Sequence, residues 1–234
     1  MKYQLIIFDI DDTLFDYKAT EISALKMVCS NYKIDCHFDE IYLKYKNANN
    51  QAKIIIRGLG ANNLDEFRKI RAVLFLNSIG RSEISVSNFI ESYLECSVFG
   101  NLIDGVYETL SGLSHVTKVA ATNGSAYPRK NKLLNSSIMP FFKTFYSSEE
   151  MGISKPNPGF FQHITDELGF TRNQTLIVGD DWETDVEGAL SSGIDACWFN
   201  AKKKEKPMQN FNQQIYEINQ FNQLLEIFEG ECHG

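Results

Sequence analysis

Short apolar runs that stop at polar residues recur along the chain and predict buried strands. They cover residues 3–9, 118–122, 175–179 and 196–199. None of them alternates strictly between apolar and polar residues, which is typical of strands buried on both faces of a parallel sheet. We therefore predict four parallel strands, and the polar residues that follow them mark the carboxyl edge of the sheet.

Segments with helical spacing of apolar residues fill the gaps between these strands. Helices are predicted over residues 127–135, 159–168 and 184–190. After the last strand, residues 214–218 predict an edge strand and residues 221–228 a closing helix with one apolar face. Alternating strands and helices favour an α/β fold, a Rossmann-like parallel sheet with helices on both faces.

Residues 17–97 break this alternation. Apart from residues 54–56 they contain no β-branched apolar run, and their apolar residues follow helical spacing instead. We therefore predict an inserted, all-helical domain over residues 16–100. The catalytic core is then expected to consist of residues 1–15 and 101–234.

Composition and charge narrow the classes of function. The 234 residues carry a formal net charge of -7, which argues against nucleic acid or an anionic membrane surface as a partner. The longest apolar run near the start has four residues, too few for a membrane span or a secretory signal. We expect a cytoplasmic monomer or homodimer.

The cysteines show no paired spacing and are expected as reduced thiols: Cys29, Cys36, Cys96, Cys197 and Cys232.

The first candidate for chemistry is the sequence DIDDT, directly after the first strand, with Asp9 and Asp11 two positions apart. Two carboxylates this close repel, and a divalent cation or a proton relieves the repulsion. A phosphoryl-transfer site uses both, with Asp9 as a nucleophile and Asp11 as a general acid and then a base. For this motif alone, a helix cap formed by Asp12 or Thr13 is an equal alternative.

Two further candidates follow later strands. Thr122, Asn123 and Gly124 offer a hydroxyl and backbone N–H groups that could hold a phosphoryl oxygen, although such a segment is also an ordinary turn and helix cap. Lys155 precedes two prolines that stiffen the chain and would aim its ammonium group inward, whereas most lysines are simply exposed.

The fourth candidate is GDDWETD, in which Asp180 and Asp185 lie five positions apart. One of them can bind a metal ion, and the other can orient Lys155 or a metal-bound water. Hard oxygen ligands without a histidine or cysteine cluster favour Mg²⁺ over Zn²⁺. Because ligands of open parallel sheets bind beyond the carboxyl ends of the strands, we expect all four candidates to meet in one crevice.

These motifs, in this order, resemble those of the haloacid dehalogenase (HAD) superfamily. The resemblance implies that Asp9 is the nucleophile and a Mg²⁺ ligand, that Asp11 is the acid/base and a ligand through its backbone carbonyl, and that Asp180 is the third ligand. Thr122 and Lys155 would hold the phosphoryl group. Asp185 would have a supporting role, and Asn123 and Gly124 would join in substrate binding.

The resemblance also indicates the class of reaction. The inserted domain is similar to the helical C1 cap of that superfamily. Asp11 implies phosphate-ester hydrolysis, because the dehalogenases and phosphonatases of this fold lack an aspartate at that position. The segments GISKPNPGFF, GDDWETDVEGA and GIDACWFN are similar to those of pyrimidine 5'-nucleotidases.

We therefore expect a Mg²⁺-dependent phosphatase that acts on a small phosphorylated metabolite, with a nucleoside 5'-monophosphate as the first candidate. A phosphoglycolate or sugar-phosphate phosphatase and a phosphomutase are alternatives. A non-catalytic HAD-fold binding module is an alternative of another class, and it would be expected to lack one of the motif residues.

Overall fold

The computed structural model describes residues 2–34, 37–59, 64–208 and 211–229. The chain forms two compact units. One consists of Met1–Tyr17 and Gly100–Gly234 and is called the α/β unit below. The other, the helical unit, consists of Lys18–Phe99. The function of the helical unit as a cap stays a prediction.

The α/β unit is built on a six-stranded sheet in which all neighbouring strands are parallel. The strands are β1 (Leu5–Phe8), β2 (Thr117–Thr122), β3 (Thr144–Ser147), β4 (Thr175–Gly179), β5 (Asp195–Phe199) and β6 (Ile215–Ile218). Their spatial order is β3-β2-β1-β4-β5-β6, so β1 lies between β2 and β4. The predicted parallel sheet and its edge strand β6 are confirmed.

The strand β3 is the one that the hydrophobic pattern does not predict. Its sequence, TFYS, is short and half polar, and its first two residues are only partly buried. β3 lies at the edge of the sheet, where one side pairs with no neighbour. An edge position needs less continuous apolar sequence than a central one, so the apolar signal is weak there.

Helices connect the strands and follow the last one. Those of the α/β unit are α5 (Val106–Gly112), α6 (Ala126–Asn135), α7 (Ser148–Met151), α8 (Pro158–Leu168), α9 (Gly188–Ser191) and α10 (Leu224–Glu229). A π-helical turn, Trp182–Glu187, precedes α9. The three helices predicted between strands are confirmed, with the π-helical turn occupying part of the third.

The strands are buried on both faces because helices cover both. Ile6 and Phe8 of β1 belong to one apolar cluster, and Leu5 and Ile7 belong to another on the opposite face. Side chains alternate between the faces of a strand, so a strand between two apolar layers has no polar positions. This explains the uninterrupted apolar runs in the sequence.

The helical unit has an apolar core of its own. Its helices are α1 (Tyr17–Asn31, which starts at the last residue of the first α/β segment), α2 (Phe38–Gly58), α3 (Leu64–Ser78) and α4 (Val86–Cys96). Tyr45 of α2 and Phe75 of α3 are fully buried, with ring centroids 5.4 Å apart. The β-branched run at residues 54–56 lies inside α2.

Cys29, Cys96 and Cys197 are buried free thiols, as expected, while Cys36 and Cys232 lie outside the described residues. Within the described ranges, no helix combines the length and the apolar character that crossing a bilayer requires.

Candidate active site

The first motif occupies a turn at the carboxyl end of β1. The Asp9 N–H donates to the Val178 carbonyl at 2.8 Å, so Asp9 is still attached to the sheet. Beyond it the chain folds back, because the Phe15 N–H donates to the Ile10 carbonyl at 3.1 Å. Asp12 has a φ of 60°, in the left-handed region that this turn requires. The turn keeps both Asp9 and Asp11 at the edge of the sheet.

Lys155 is buried between two carboxylates. Its Nζ donates to Asp9 Oδ1 at 2.6 Å and to Asp185 Oδ1 at 2.7 Å, and the residue is 4% exposed. Burial by itself would lower the pKa of this ammonium group, but Asp185 and Asp9 outweigh it and raise the pKa above its usual value. Lys155 is therefore a fixed positive charge next to the proposed nucleophile.

Three carboxylates form the group that could hold a metal ion. Oxygen atoms of Asp9, Asp180 and Asp185 lie within 4.8 Å of one another. Burial raises the pKa of Asp9 to about 8, with Lys155 opposing the rise and Asp185 adding to it. Burial and the Asp185 carboxylate likewise raise the pKa of Asp180 to about 7. These oxygen donors fit Mg²⁺, which would relieve their repulsion.

The side chain of Asp185 packs closely against the backbone at the carboxyl end of β4. The residue is 1% exposed, and its Oδ2 accepts from the Asp181 N–H at 3.2 Å. A Cβ on Gly179 would lie 2.4 Å from Asp185 Cγ, which is closer than atoms approach. Glycine at position 179 therefore permits Asp185 to reach Lys155.

The second motif follows β2, and its residues form separate sets of hydrogen bonds. The Gly124 N–H donates to Thr122 Oγ1 at 3.0 Å. The carboxamide of Asn123 forms two hydrogen bonds with the backbone of Lys155. Thr122 is buried, whereas Asn123 is exposed. The side chain of Asn123 therefore holds the segment that carries Lys155, and its predicted function in substrate binding stays a prediction.

Asp11 has partners that the sequence interpretation missed. Its Oδ2 accepts from Arg129 Nη2 at 2.7 Å and from Arg129 Nε at 2.9 Å, and its Oδ1 accepts from Lys132 Nζ at 2.8 Å. Burial favours the neutral carboxyl, but Arg129 and Lys132 outweigh it and hold the pKa of Asp11 well below its usual range. Two basic residues three positions apart on a helix after the second motif share one face, which was the available signal.

The structure thus collects residues of all four motifs at one edge of the sheet. Contacts join the first motif to the third through Asp9 and Lys155, the third to the fourth through Asp185, and the second to the third through Asn123. The side chain of Asp11 points instead to Arg129 and Lys132 on α6. Its expected metal contact involves only the backbone carbonyl and stays a prediction, as do the individual functions of the site residues.

Comparisons with known proteins agree with this arrangement. A sequence model of the haloacid dehalogenase-like hydrolases matches residues 6–199. The HAD-hydrolase YfnB of Bacillus subtilis is 28% identical over 239 residues, covering 98% of this chain and 97% of its own. A crystal structure of YfnB bound to magnesium superposes with a TM-score of 0.83, covering 98% of this chain and all of the other.

Two further relatives have named substrates. The pyrimidine 5'-nucleotidase PynA of Streptococcus pneumoniae is 26% identical, covering 98% of this chain and 96% of its own. A glyceraldehyde 3-phosphate phosphatase of Methanocaldococcus jannaschii is 27% identical, covering 95% of both chains. The expected Mg²⁺ cofactor agrees with the magnesium in the YfnB structure and with the carboxylate group described above. Because the family model covers well over half of its length, the chain belongs to the haloacid dehalogenase-like hydrolases.

Proposed function

We propose that the protein is a Mg²⁺-dependent phosphatase that hydrolyses a small phosphomonoester through an aspartyl-phosphate on Asp9. The observation that carries the proposal is the contact of the buried Lys155 ammonium group with both Asp9 and Asp185, beside Asp180. A nucleophilic carboxylate, a fixed cation and a set of oxygen ligands in one place are what phosphoryl transfer requires.

Asp9, the backbone carbonyl of Asp11 and Asp180 would hold the metal ion. When bound, Mg²⁺ would neutralise the carboxylates and stabilise negative charge on the phosphoryl oxygens. Loss of the proton that burial favours on Asp9 would leave one of its carboxylate oxygens as the nucleophile. Lys155 would stay charged throughout, because the two carboxylates in contact with it raise its pKa.

In the first step a carboxylate oxygen of Asp9 attacks phosphorus, the bond from phosphorus to the leaving oxygen breaks, and Asp11 supplies the proton for that oxygen. In the second step Asp11 takes a proton from water, whose oxygen attacks the phosphorus of the aspartyl-phosphate; the bond from phosphorus to the Asp9 oxygen breaks, which releases phosphate and restores the carboxylate. Asp11 paired with Arg129 and Lys132 is charged, which suits the second step. Proton donation in the first step requires that these two contacts loosen.

Two classes of phosphomonoester are candidate substrates. Nucleoside 5'-monophosphates remain the first candidate, supported by the similarity to PynA. The glyceraldehyde 3-phosphate phosphatase has nearly the same identity, which supports a small sugar phosphate as the second candidate. Against a binding module, all residues of the four motifs are present.

A panel of phosphomonoesters with and without Mg²⁺ tests the activity. It should contain pyrimidine and purine monophosphates, phosphoglycolate, glyceraldehyde 3-phosphate and hexose phosphates. The mechanism is tested by acid-quenching the enzyme with a ³²P-labelled substrate. Label that is released by hydroxylamine should stay on the wild-type protein and be absent from Asp9→Asn, whose circular dichroism spectrum should be unchanged. No phosphate release from any substrate in the presence of Mg²⁺ would refute the proposal.

A further inference from the structure

A cluster of lysines follows β5 and is not used by the mechanism above. Residues 201–206, called the lysine loop below, are all exposed in a protein whose net charge is -7. The loop contains Lys202, Lys203, Lys204 and Lys206 and a single acid, Glu205. Among the residues that the structure describes, Lys202 alone of the four lysines forms an ion pair, with Asp12 Oδ2 at 2.7 Å.

The conformation of the loop is fixed by one buried side chain. Asn200 is 3% exposed, and its carboxamide accepts from the Lys204 N–H and donates to the Lys204 carbonyl, both at 2.8 Å. The Asn200 N–H donates to the Ile218 carbonyl of β6 at 2.7 Å, and its Nδ2 also donates to Glu217. Lys203 has a φ of 49°, a left-handed conformation that lysine rarely adopts. The fold thus specifies where these lysines lie.

The loop lies beside the proposed metal site. It begins two positions after the end of β5, and β5 is paired in parallel with β4, which leads directly into Asp180. Trp198 of β5 donates its Nε1–H to the Asp180 carbonyl at 3.0 Å. Lys202 contacts Asp12, in the turn that carries Asp9. The start of the lysine loop and the strand before it therefore contact Asp12 and Asp180, at the carboxylate group.

Neighbouring ammonium groups repel one another, and among the described residues only Lys202 offsets this repulsion with an ion pair, so the arrangement has an electrostatic cost. Local features that conflict with stability are expected mainly at functional sites. A phosphomonoester is a dianion, and both the overall charge of the protein and the carboxylates of the site repel it. A basic segment at the edge of the site counteracts that repulsion, since clefts focus the potential of nearby charges.

We propose that the lysine loop is an anion-capture element that draws the dianionic phosphomonoester toward the metal site. The inference rests on the proposed function and adds a second source of binding energy to Lys155 and Mg²⁺. The interaction is with the total charge of the ligand, and hence it should be strong at low ionic strength and screened by salt.

Equilibrium dialysis of ³²P-labelled inorganic phosphate against the full-length protein in Mg²⁺ buffer tests this without requiring turnover. The variant is Lys203→Gln/Lys204→Gln, in which the backbone hydrogen bonds to Asn200 are retained. Its matched control is Lys143→Gln/Arg172→Gln, which removes two exposed positive charges adjoining the amino ends of β3 and β4. Lys206→Gln, which lies outside the hydrogen bonds of Asn200, is a second and milder variant.

At an ionic strength of about 0.02 M the loop variant should raise the dissociation constant for phosphate about threefold or more, and Lys206→Gln should raise it less. At about 0.5 M salt the difference from wild type should nearly vanish. Equal binding by variant and wild type at low salt would overturn the proposal. An undiminished difference at high salt, or the same loss in the control, would also overturn it, since local charge would not be the cause.

The proposal and the proposed function fail in different ways. If no phosphomonoester is hydrolysed but phosphate binding still depends on the loop and on salt, the phosphatase assignment fails alone. If hydrolysis occurs while phosphate binding is independent of the lysine loop, the capture element fails alone.

Discussion

The carboxamide of Asn123 forms two hydrogen bonds with the backbone of Lys155, one from Nδ2 to the carbonyl and one from the Lys155 N–H to Oδ1, both 2.8 Å long. These two hydrogen bonds connect the segment after β2 with the segment that carries Lys155, 32 positions later. It fixes the backbone from which the Lys155 side chain reaches Asp9. We therefore predict that Asn123 positions the ammonium group.

Replacing Asn123 by alanine should lower kcat by about 10- to 100-fold, because a displacement of about 1 Å in a positioned group can cost that much. The thermal midpoint should fall by about a few degrees, since two hydrogen bonds to the Lys155 backbone are lost. Steady-state kinetics on the best substrate of the panel measures the effect. Asn173→Ala, at an exposed asparagine before β4, is the control and should keep the wild-type kcat. Wild-type kcat in Asn123→Ala would contradict the positioning function.

Removing Arg129 should change the pH dependence of catalysis. Arg129 and Lys132 together hold the pKa of Asp11 below its usual range against the effect of burial. In Arg129→Gln one opposing charge is lost, so the pKa of Asp11 should rise. Because Asp11 must be charged to accept a proton from water, the acidic limb of the kcat profile should move to higher pH.

The measurement is a pH–rate profile with an activated aryl phosphate, whose good leaving group should make breakdown of the aspartyl-phosphate the rate-limiting step. Arg172→Gln removes the same charge from an exposed position and should leave the profile unchanged. A profile of Arg129→Gln that coincides with the wild type would show that the Arg129 contact does not control Asp11.

The carboxylate group should make stability depend on both pH and Mg²⁺. The pKa of Asp9 is raised to about 8 and that of Asp180 to about 7, against an ordinary value of 3.8. A carboxyl whose pKa is raised in the folded state binds its proton more tightly there, and its stabilising effect is lost as the pH rises through the folded value. The metal-free protein should therefore lose stability as the pH rises through 7 and 8.

Mg²⁺ replaces those protons, so the rise in melting temperature on adding Mg²⁺ to EDTA-treated protein should be larger at about pH 8.5 than at about pH 6. Thermal melts at both pH values measure it. Asp180→Asn should reduce the Mg²⁺ effect, whereas Asp166→Asn, an exposed residue of α8, should not. A Mg²⁺ shift that is equal at both pH values would argue against metal binding by these carboxylates.

Adding one methyl group at position 179 should displace Asp185, which contacts Lys155. The new Cβ would overlap Asp185, so Gly179→Ala should destabilise the protein by about 1–3 kcal/mol and displace the carboxylate from Lys155. Activity should fall as well. Gly58→Ala is the control, because a Cβ there meets no atom within 4 Å. Urea unfolding of both variants measures the difference, and equal stabilities would contradict the predicted overlap.

Much of the fold follows from local sequence, and the reason lies in the burial of the strands. β1, β2, β4 and β5 are covered on both faces, so each carries a continuous apolar run that is visible without a structure. The edge strand β3 lacks such a run and was missed. The order of the strands in the sheet, with β1 in the centre, is a property of the folded chain that no single run encodes.

The sequence by itself determined the α/β class, the inserted helical segment and the polar residues that follow β1, β2 and β4, because all three depend on neighbours within a few positions. Only the tertiary structure decided which of these residues touch. The pairs Asn123–Lys155, Asp11–Arg129 and Asp12–Lys202 join positions 32, 118 and 190 apart. Such contacts depend on how helices and loops pack around the sheet edge, and the hydrophobic pattern of one segment carries no information about the polar side chains of another.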